Sequence, residues 1–268
     1  MLSVIKNRRF WLMCAGYAIF LSAWYGSVNW LPIAAFSRLP DPVGVAIEWL
    51  DPDPYSGISI FTQTYYTHIL YSTYRAFTAF FLAVALGVPL GVLMGWNRKF
   101  DQYVSALLAI LRPIPPLAWV PLAILLFWTM EMAVIFVTFL VAFYATAMNT
   151  YVGVRAIDKD YFRAAASLGA KPRHVLRDVI IPGCLPNMFT GLQIAMGAAW
   201  FSLVAGEMIA SQHGLGYLIF DAYSVIQFDV IIIGMATLGI VGYTSSMLIR
   251  VLGNYLMRWR AQSIGGVK

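Results

Sequence analysis

The sequence predicts an all-α polytopic membrane protein of six transmembrane helices, and three observations predict it. Of its 268 residues 60% are hydrophobic and only 11% charged, where ordinary soluble domains carry roughly 25% charged residues, so the chain cannot coat a water-facing surface. Its apolar runs recur at the length of about 20 residues that a helix needs to cross a hydrocarbon core about 30 Å thick. None of the runs alternates in polarity over about ten residues as the strands of a membrane barrel do, and a helix satisfies its backbone polar groups within the lipid-embedded segment itself.

In order, the spans are expected at 10–31, 68–96, 103–128, 132–152, 185–206 and 230–249, within a single transmembrane domain covering 1–268 and with an outer interfacial segment at 33–67. The first opens with FWLMCAGYAIFLSAW behind Lys6, Arg8 and Arg9. Its apolar run is too long for a signal peptide and lacks a clear small-residue cleavage site, so it reads as a retained anchor. In the third, Pro113, Pro115 and Pro116 break the helix at a depth where freed backbone groups should line protein or water rather than lipid. Cys14 and Cys184 are the two cysteines; one falls in the first span and the other at a mouth of the fifth, which argues against a disulfide or a cysteine metal site.

Fifteen of the 18 Lys and Arg residues fall on the side that holds both termini, and the positive-inside rule places that side in the cytoplasm. Arg38 alone lies opposite, while Arg75 and Arg112 sit in or beside spans. This topology, a multi-pass chain in the lipid of the inner membrane, accounts for the formal charge of +6 with no nucleic-acid partner.

Between the fourth and fifth spans, RAAASLGAKPRHVLRDVIIPGCLP (Arg163 to Pro186) carries Arg163, Lys171, Arg173, His174 and Arg177. Asp158 or Asp160 suits a helix N-cap, Gly169 the left-handed end of that helix, Pro172 the first turn of a second helix, and Pro182 its stop. The expectation is a two-helix knob at 158–182, with Ala164, Ala165 and Ala166 admitting a close approach and Tyr161 and Phe162 anchoring a partner. A solvated basic loop that only fixes topology is the alternative that composition leaves open.

The spacing of Arg163-Ala164-Ala165, Gly169, Val179, Ile181 and Pro182 resembles the EAA…G…I-x-L-P signature of inner-membrane permease subunits of binding-protein-dependent ABC importers. Arg163 stands where that family most often has Glu, Val179 where Ile is common, and Ile181 where Leu is common. LPDPVGVAIEWL (Leu39–Leu50), RPIPPLAWVPL (Arg112–Leu122) and HGLGYLI (His213–Ile219) are similar to segments of the taurine, alkanesulfonate and nitrate branch. The resemblance runs from about Leu39 to Arg250. It implies a type I importer permease fold in which the hairpin is a coupling helix, with Arg163, Ala164, Ala165, Gly169, Val179, Ile181 and Pro182 docking into a cytoplasmic ABC ATPase. It further implies two ATPase subunits, an extracytoplasmic substrate-binding protein that carries most of the selectivity, and a second permease copy that completes the pathway as a homodimer. The chain contains no G-x-x-x-x-G-K-[ST], the loop that would cradle phosphates. No cofactor is therefore expected here, ATP and Mg being bound by the partner, and the chain is not itself an enzyme.

The cargo that the branch implies is a small anion: a sulfonate such as taurine, a nitrate-like oxyanion or a small organic acid. On the fifth span Thr190, Gln193, Gly197, Trp200 and Glu207 share a helix face by spacing. Gln193 and Trp200 are the deeper pathway candidates. Glu207 either faces a cavity or partner or lies at the outer interface bonded to nearby backbone. His68, Ser72 and Arg75 form a second polar stripe; Arg75 either draws an anion towards the pore or snorkels to headgroups. Arg112, ahead of the prolines, is a further pathway candidate.

A secondary transporter or a channel for small anions, working without an ATPase, is the competing class. Secondary transporters usually show inverted repeats and need no docking hairpin, and no internal repeat is visible. An intramembrane enzyme would need converging nucleophiles, carboxylates or histidines, and neither H-E-x-x-H nor G-x-S-x-G occurs.

Overall fold

Helix is the only regular secondary structure among the residues that the computed structural model describes, 8–30 and 39–257. The elements run α1 (Arg8–Asn29), α2 (Pro42–Trp49), α3 (Gln63–Trp96), α4 (Arg98–Leu111), α5 (Pro116–Leu126), α6 (Met130–Arg155), α7 (Lys159–Ser167), α8 (Pro172–Ala210), α9 (Leu215–Ser224) and α10 (Phe228–Leu256). Five of them, α1, α3, α6, α8 and α10, are long and apolar enough to cross a membrane, and α4 with α5, bent by 97° at their break, brings the number to six where the pair forms one span. The all-α six-span architecture is the expected one. Lys6, Arg38, Arg258, Arg260 and Lys268, which enter the orientation argument, lie outside the described residues, as do 33–38 of the interfacial segment.

The bend in the third span follows from its prolines. Arg112 ends α4, Pro115 caps α5 in extended geometry and Pro116 takes its first turn, the position where a missing N–H costs nothing. The chain between them cannot stay helical, because each proline also pushes its predecessor out of the α region.

The chain divides into two compact units. The first holds residues up to His68 together with Leu218–Ala236. In it Asp41 caps α2, its Oδ1 accepting from the N–H of Gly44 at 3.2 Å, with Pro42 opening the helix. Glu48 accepts from both the N–H and the hydroxyl of Ser56, at 2.8 and 2.7 Å, which pins the loop leading to α3.

The second unit, Ile69–Tyr217 with the residues from Thr237 on, is built on α3, α6 and α8. Helices α3 and α6 run parallel, joined through Gly87, Gly91 and Gly95. A Cβ at Gly87 would stand 3.1 Å from the Phe143 carbonyl and 3.2 Å from Thr146, and one at Gly91 would collide with the Ala147 carbonyl. Glycines spaced by four thus let two backbones touch, the way helices associate where lipid supplies no hydrophobic drive. Helix α8 runs antiparallel to α6, with Gly206 against Val134 and Gly191 against Asn149.

One expectation fails. Pro182 does not stop the second hairpin helix, and the hairpin and fifth span are not separate elements: α8 is continuous for 39 residues from Pro172 to Ala210. A π-helical turn at Val175–Ile180 absorbs the proline. There the N–H of Ile181 donates to Leu176 O, five residues back, so the widened turn makes room for a ring that would clash in a regular α-helix.

Candidate functional site

Local rules build the hairpin. Asp158 caps α7, its Oδ1 accepting from the N–H of Asp160 at 2.9 Å. At the far end the N–H of Gly169 donates to Ala166 O at 3.0 Å and that of Ala170 to Ala165 O at 3.0 Å, the paired bonds of a Schellman stop. Gly169 has φ +67, a left-handed conformation that costs a side-chain-bearing residue energy and glycine none. Pro172 then opens α8.

What the hairpin presents is more selective than expected. Phe162 does not project: with Val92, Ile157, Val175 and Leu176 it packs on buried Val154, Ile180 and Cys184, rooting α7 on the bundle. Tyr161 and Leu168 stay 66% and 86% exposed, with Ala164 exposed and Ala165 half-buried beside them. Arg163 pairs within its own helix, Nη1 donating to Asp160 Oδ1 at 3.0 Å, both side chains exposed. Tyr161, Val179 and Pro182 line one cleft of about 550 Å³ with Ile157, Asp158 and Asp178, and Ile181 is 45% exposed. Of the signature residues, Val179 and Pro182 thus share a cleft with Tyr161, while Arg163, Ala164, Gly169 and Ile181 are exposed.

The pathway candidates separate into three environments. Arg112 is exposed at the α4–α5 break, its guanidinium 5.6 Å from the centroid of the Tyr144 ring. It lines a cleft of about 290 Å³ with Leu111, Pro116, Trp119 and Phe143. Gln193 is half-buried and accepts from Arg250 Nε at 3.2 Å. Trp200 is buried, its Nε1 donating to Ser245 Oγ at 2.8 Å, so it serves packing between α8 and α10. The single polar face expected along α8 is thus divided: Thr190 and Gly197 are exposed, whereas Trp200 and Glu207 are inside.

Arg75 occupies neither of the environments expected for it. Its side chain is 1% exposed, turned inward rather than to the surface. Its Nε donates to Glu131 Oε2 at 2.6 Å, and its Nη2 pairs with the other oxygen of Glu131. Its Nη1 donates to Glu207 Oε1 at 2.8 Å and to the carbonyl of His213 at 2.6 Å. Glu207, fully buried, also accepts from Ser72 Oγ at 2.8 Å and from the N–H of Gly216 at 2.9 Å. Glu207 therefore bonds backbone, as one expectation had it, but within a buried network. Glu131 was not singled out in the sequence. The signal that finds it is chemical: an arginine inside a span needs a carboxylate, and Glu131 is the acid at the start of the adjacent span. Among the described residues no three His, Cys, Asp or Glu side chains come together to hold a metal ion.

Comparison with known proteins bears on these arrangements. Residues 87–262 match the family described as binding-protein-dependent transport system inner membrane component. A putative ABC transporter permease protein of Methanocaldococcus jannaschii is 40% identical over 77% of this chain and 78% of its own length. The taurine transport system permease protein of Escherichia coli is 32% identical over 96% and 92%, and the bicarbonate transport system permease protein of Synechococcus elongatus is 36% identical over 69% and 66%. Among solved structures, an inward-facing form of a methionine ABC transporter superposes with a TM-score of 0.61 at 23% identity, covering 71% of this chain and 93% of that one. That likeness speaks for the fold.

Proposed function

The chain belongs to the family of binding-protein-dependent inner membrane components, the membrane-spanning permeases of ABC importers, and from that premise we propose that it carries a small anion across the inner membrane in a complex driven by a partner ATPase. The observation that carries the reading is the hairpin. Lys159–Ser167 leaves Tyr161 and Leu168 unpacked on the surface, and the helix that follows runs unbroken into the bundle for 39 residues. A push on α7 is delivered to the packed end of α8 through Phe162 and the Ile180 cluster, so a docked motor moves a span directly. Arg163, Ala164, Ala165, Gly169, Val179, Ile181 and Pro182 form the docking surface. ATP and Mg belong to the partner, two ATPases face two copies of this chain, and the hairpin and both termini lie in the cytoplasm. A binding protein delivers the cargo from the opposite side.

The cargo class rests on Arg112. An exposed guanidinium beside an aromatic face, in a cleft made where the third span breaks, suits a small oxyanion. Taurine and bicarbonate, for which two relatives are named, both carry such a group; nitrate-like ions and small organic acids carry one too. Replacing Arg112 with Ala is expected to slow ATP-driven uptake of the anion into proteoliposomes about tenfold, equivalent to about 1.4 kcal/mol, while the ATPase still co-purifies. Uptake at the parental rate would remove Arg112 from the pathway. Uptake by the unmodified chain that persists without ATP or an ATPase would instead make it a channel or secondary transporter.

A further inference from the structure

The polar network around Arg75 stands at the end of the bundle opposite the hairpin, because α3 and α6 run parallel towards α7 and the network joins the N-terminal half of α3 and the first turn of α6 to the last turn of α8. We propose that it is a latch that closes this end of the permease and is released once in each transport cycle; the inference rests on the importer reading above.

Every bond in the network crosses between elements. Arg75 on α3 reaches Glu131 on α6, Glu207 on α8 and the carbonyl of His213 in the loop that follows. Ser72, one turn earlier on α3, donates to Glu207 and accepts from the N–H of Leu215 at 2.7 Å. Glu207 accepts in turn from Gly216. Two side chains of α3 thereby hold both ends of α8's outgoing loop. Gly214, with φ +124, passes so close that a Cβ there would run into the Glu207 carboxylate; the loop is shaped to lie on the acid.

The two halves of the α3–α6 contact differ in kind. Towards the hairpin it is the glycine seam at Gly87, Gly91 and Gly95, which has nothing to gain by separating. Away from the hairpin it is made of ion pairs and hydrogen bonds, whose groups water can solvate once it enters; bonds to charged groups hold more strongly than neutral ones, so parting them takes work that the docked ATPase must supply. A bundle built this way opens at the polar end and pivots on the apolar one.

The test uses the full complex of permease, ATPase and binding protein in nanodiscs. Leu215 is fully buried beneath the latch; Leu215→Cys, in a background of Cys14→Ser and Cys184→Ala, is labelled with a membrane-impermeant maleimide. The labelling rate is expected to rise about tenfold when the ATPase is trapped with vanadate, as a tenfold shift in the open population requires. Ser72→Ala and Gly214→Ala are each expected to raise labelling in the resting complex and to raise ATPase activity in the absence of binding protein, which a merely stabilising contact would not do. Equal labelling in resting and trapped states of a complex whose ATPase still responds to the binding protein overturns the latch and leaves the importer reading intact. An ATPase that does not associate at all overturns both.

Discussion

Arg75 shows how far a single residue's environment reaches. Because its side chain is 1% exposed and serves two carboxylates, Arg75→Ala leaves Glu207 buried without its cation. Losing one partner of a buried pair costs about 3–5 kcal/mol. Equilibrium unfolding in mixed micelles is expected to show a loss of that order, against a smaller one for Glu131→Gln, which keeps the Arg75–Glu207 pair; equal losses would mean that the Arg75–Glu131 pair carries the whole effect and the Glu207 pair none. The sequence marked Arg75, Ser72 and Glu207 as unusual, since polar groups on apolar helices stand out. It could not join them. The contacts link positions 56 and 132 residues apart, and helical periodicity reports only which residues share one face of one helix. Trp200 illustrates the same limit: spacing placed it beside Glu207 and Gln193, but its hydrogen-bond partner Ser245 lies on α10, which the periodicity of one helix does not report.

At the level of the element, rules that act within one turn were legible. Asp158 as cap, Gly169 as the left-handed stop and Pro172 as the opening of the next helix all stand where local chemistry puts them. Replacing Gly169 with Val forces a β-branched residue into φ +67, so α7 loses its end geometry; the ATPase is expected to co-purify poorly while the permease still inserts, and undiminished co-purification would remove α7 from the docking surface. Pro182 was misread because the rule that proline ends a helix assumes regular α geometry. The π turn at Val175–Ile180 offers another solution, and nothing in the residues VLRDVI announces it. The glycine seam carries its own prediction. Gly91→Val would drive a side chain into the Ala147 carbonyl and Thr150, overpacking worth about 1–3 kcal/mol and read as a lowered unfolding midpoint; an unchanged midpoint would mean that α3 and α6 are not in contact there.

On the scale of the whole molecule, the all-α architecture and its five or six spans followed from composition and length alone, since lipid leaves a chain few alternatives. How α8 ties the hairpin to the far end of the bundle was not visible, because continuity through two prolines, Pro182 and Pro186, contradicts each residue's own preference. In the proposed mechanism that continuity is the transmission: α7 at one end, the Arg75 network at the other, and one helix between them. The direct measurement is photocrosslinking from Leu168, 86% exposed at the tip of the hairpin, by replacing it with a photoreactive amino acid in the complex assembled in its native membrane. The account predicts an adduct with the ATPase subunit whose yield changes between nucleotide-free and vanadate-trapped states. An ATPase that binds and hydrolyses ATP in that complex while Leu168 crosslinks only to lipid would contradict it.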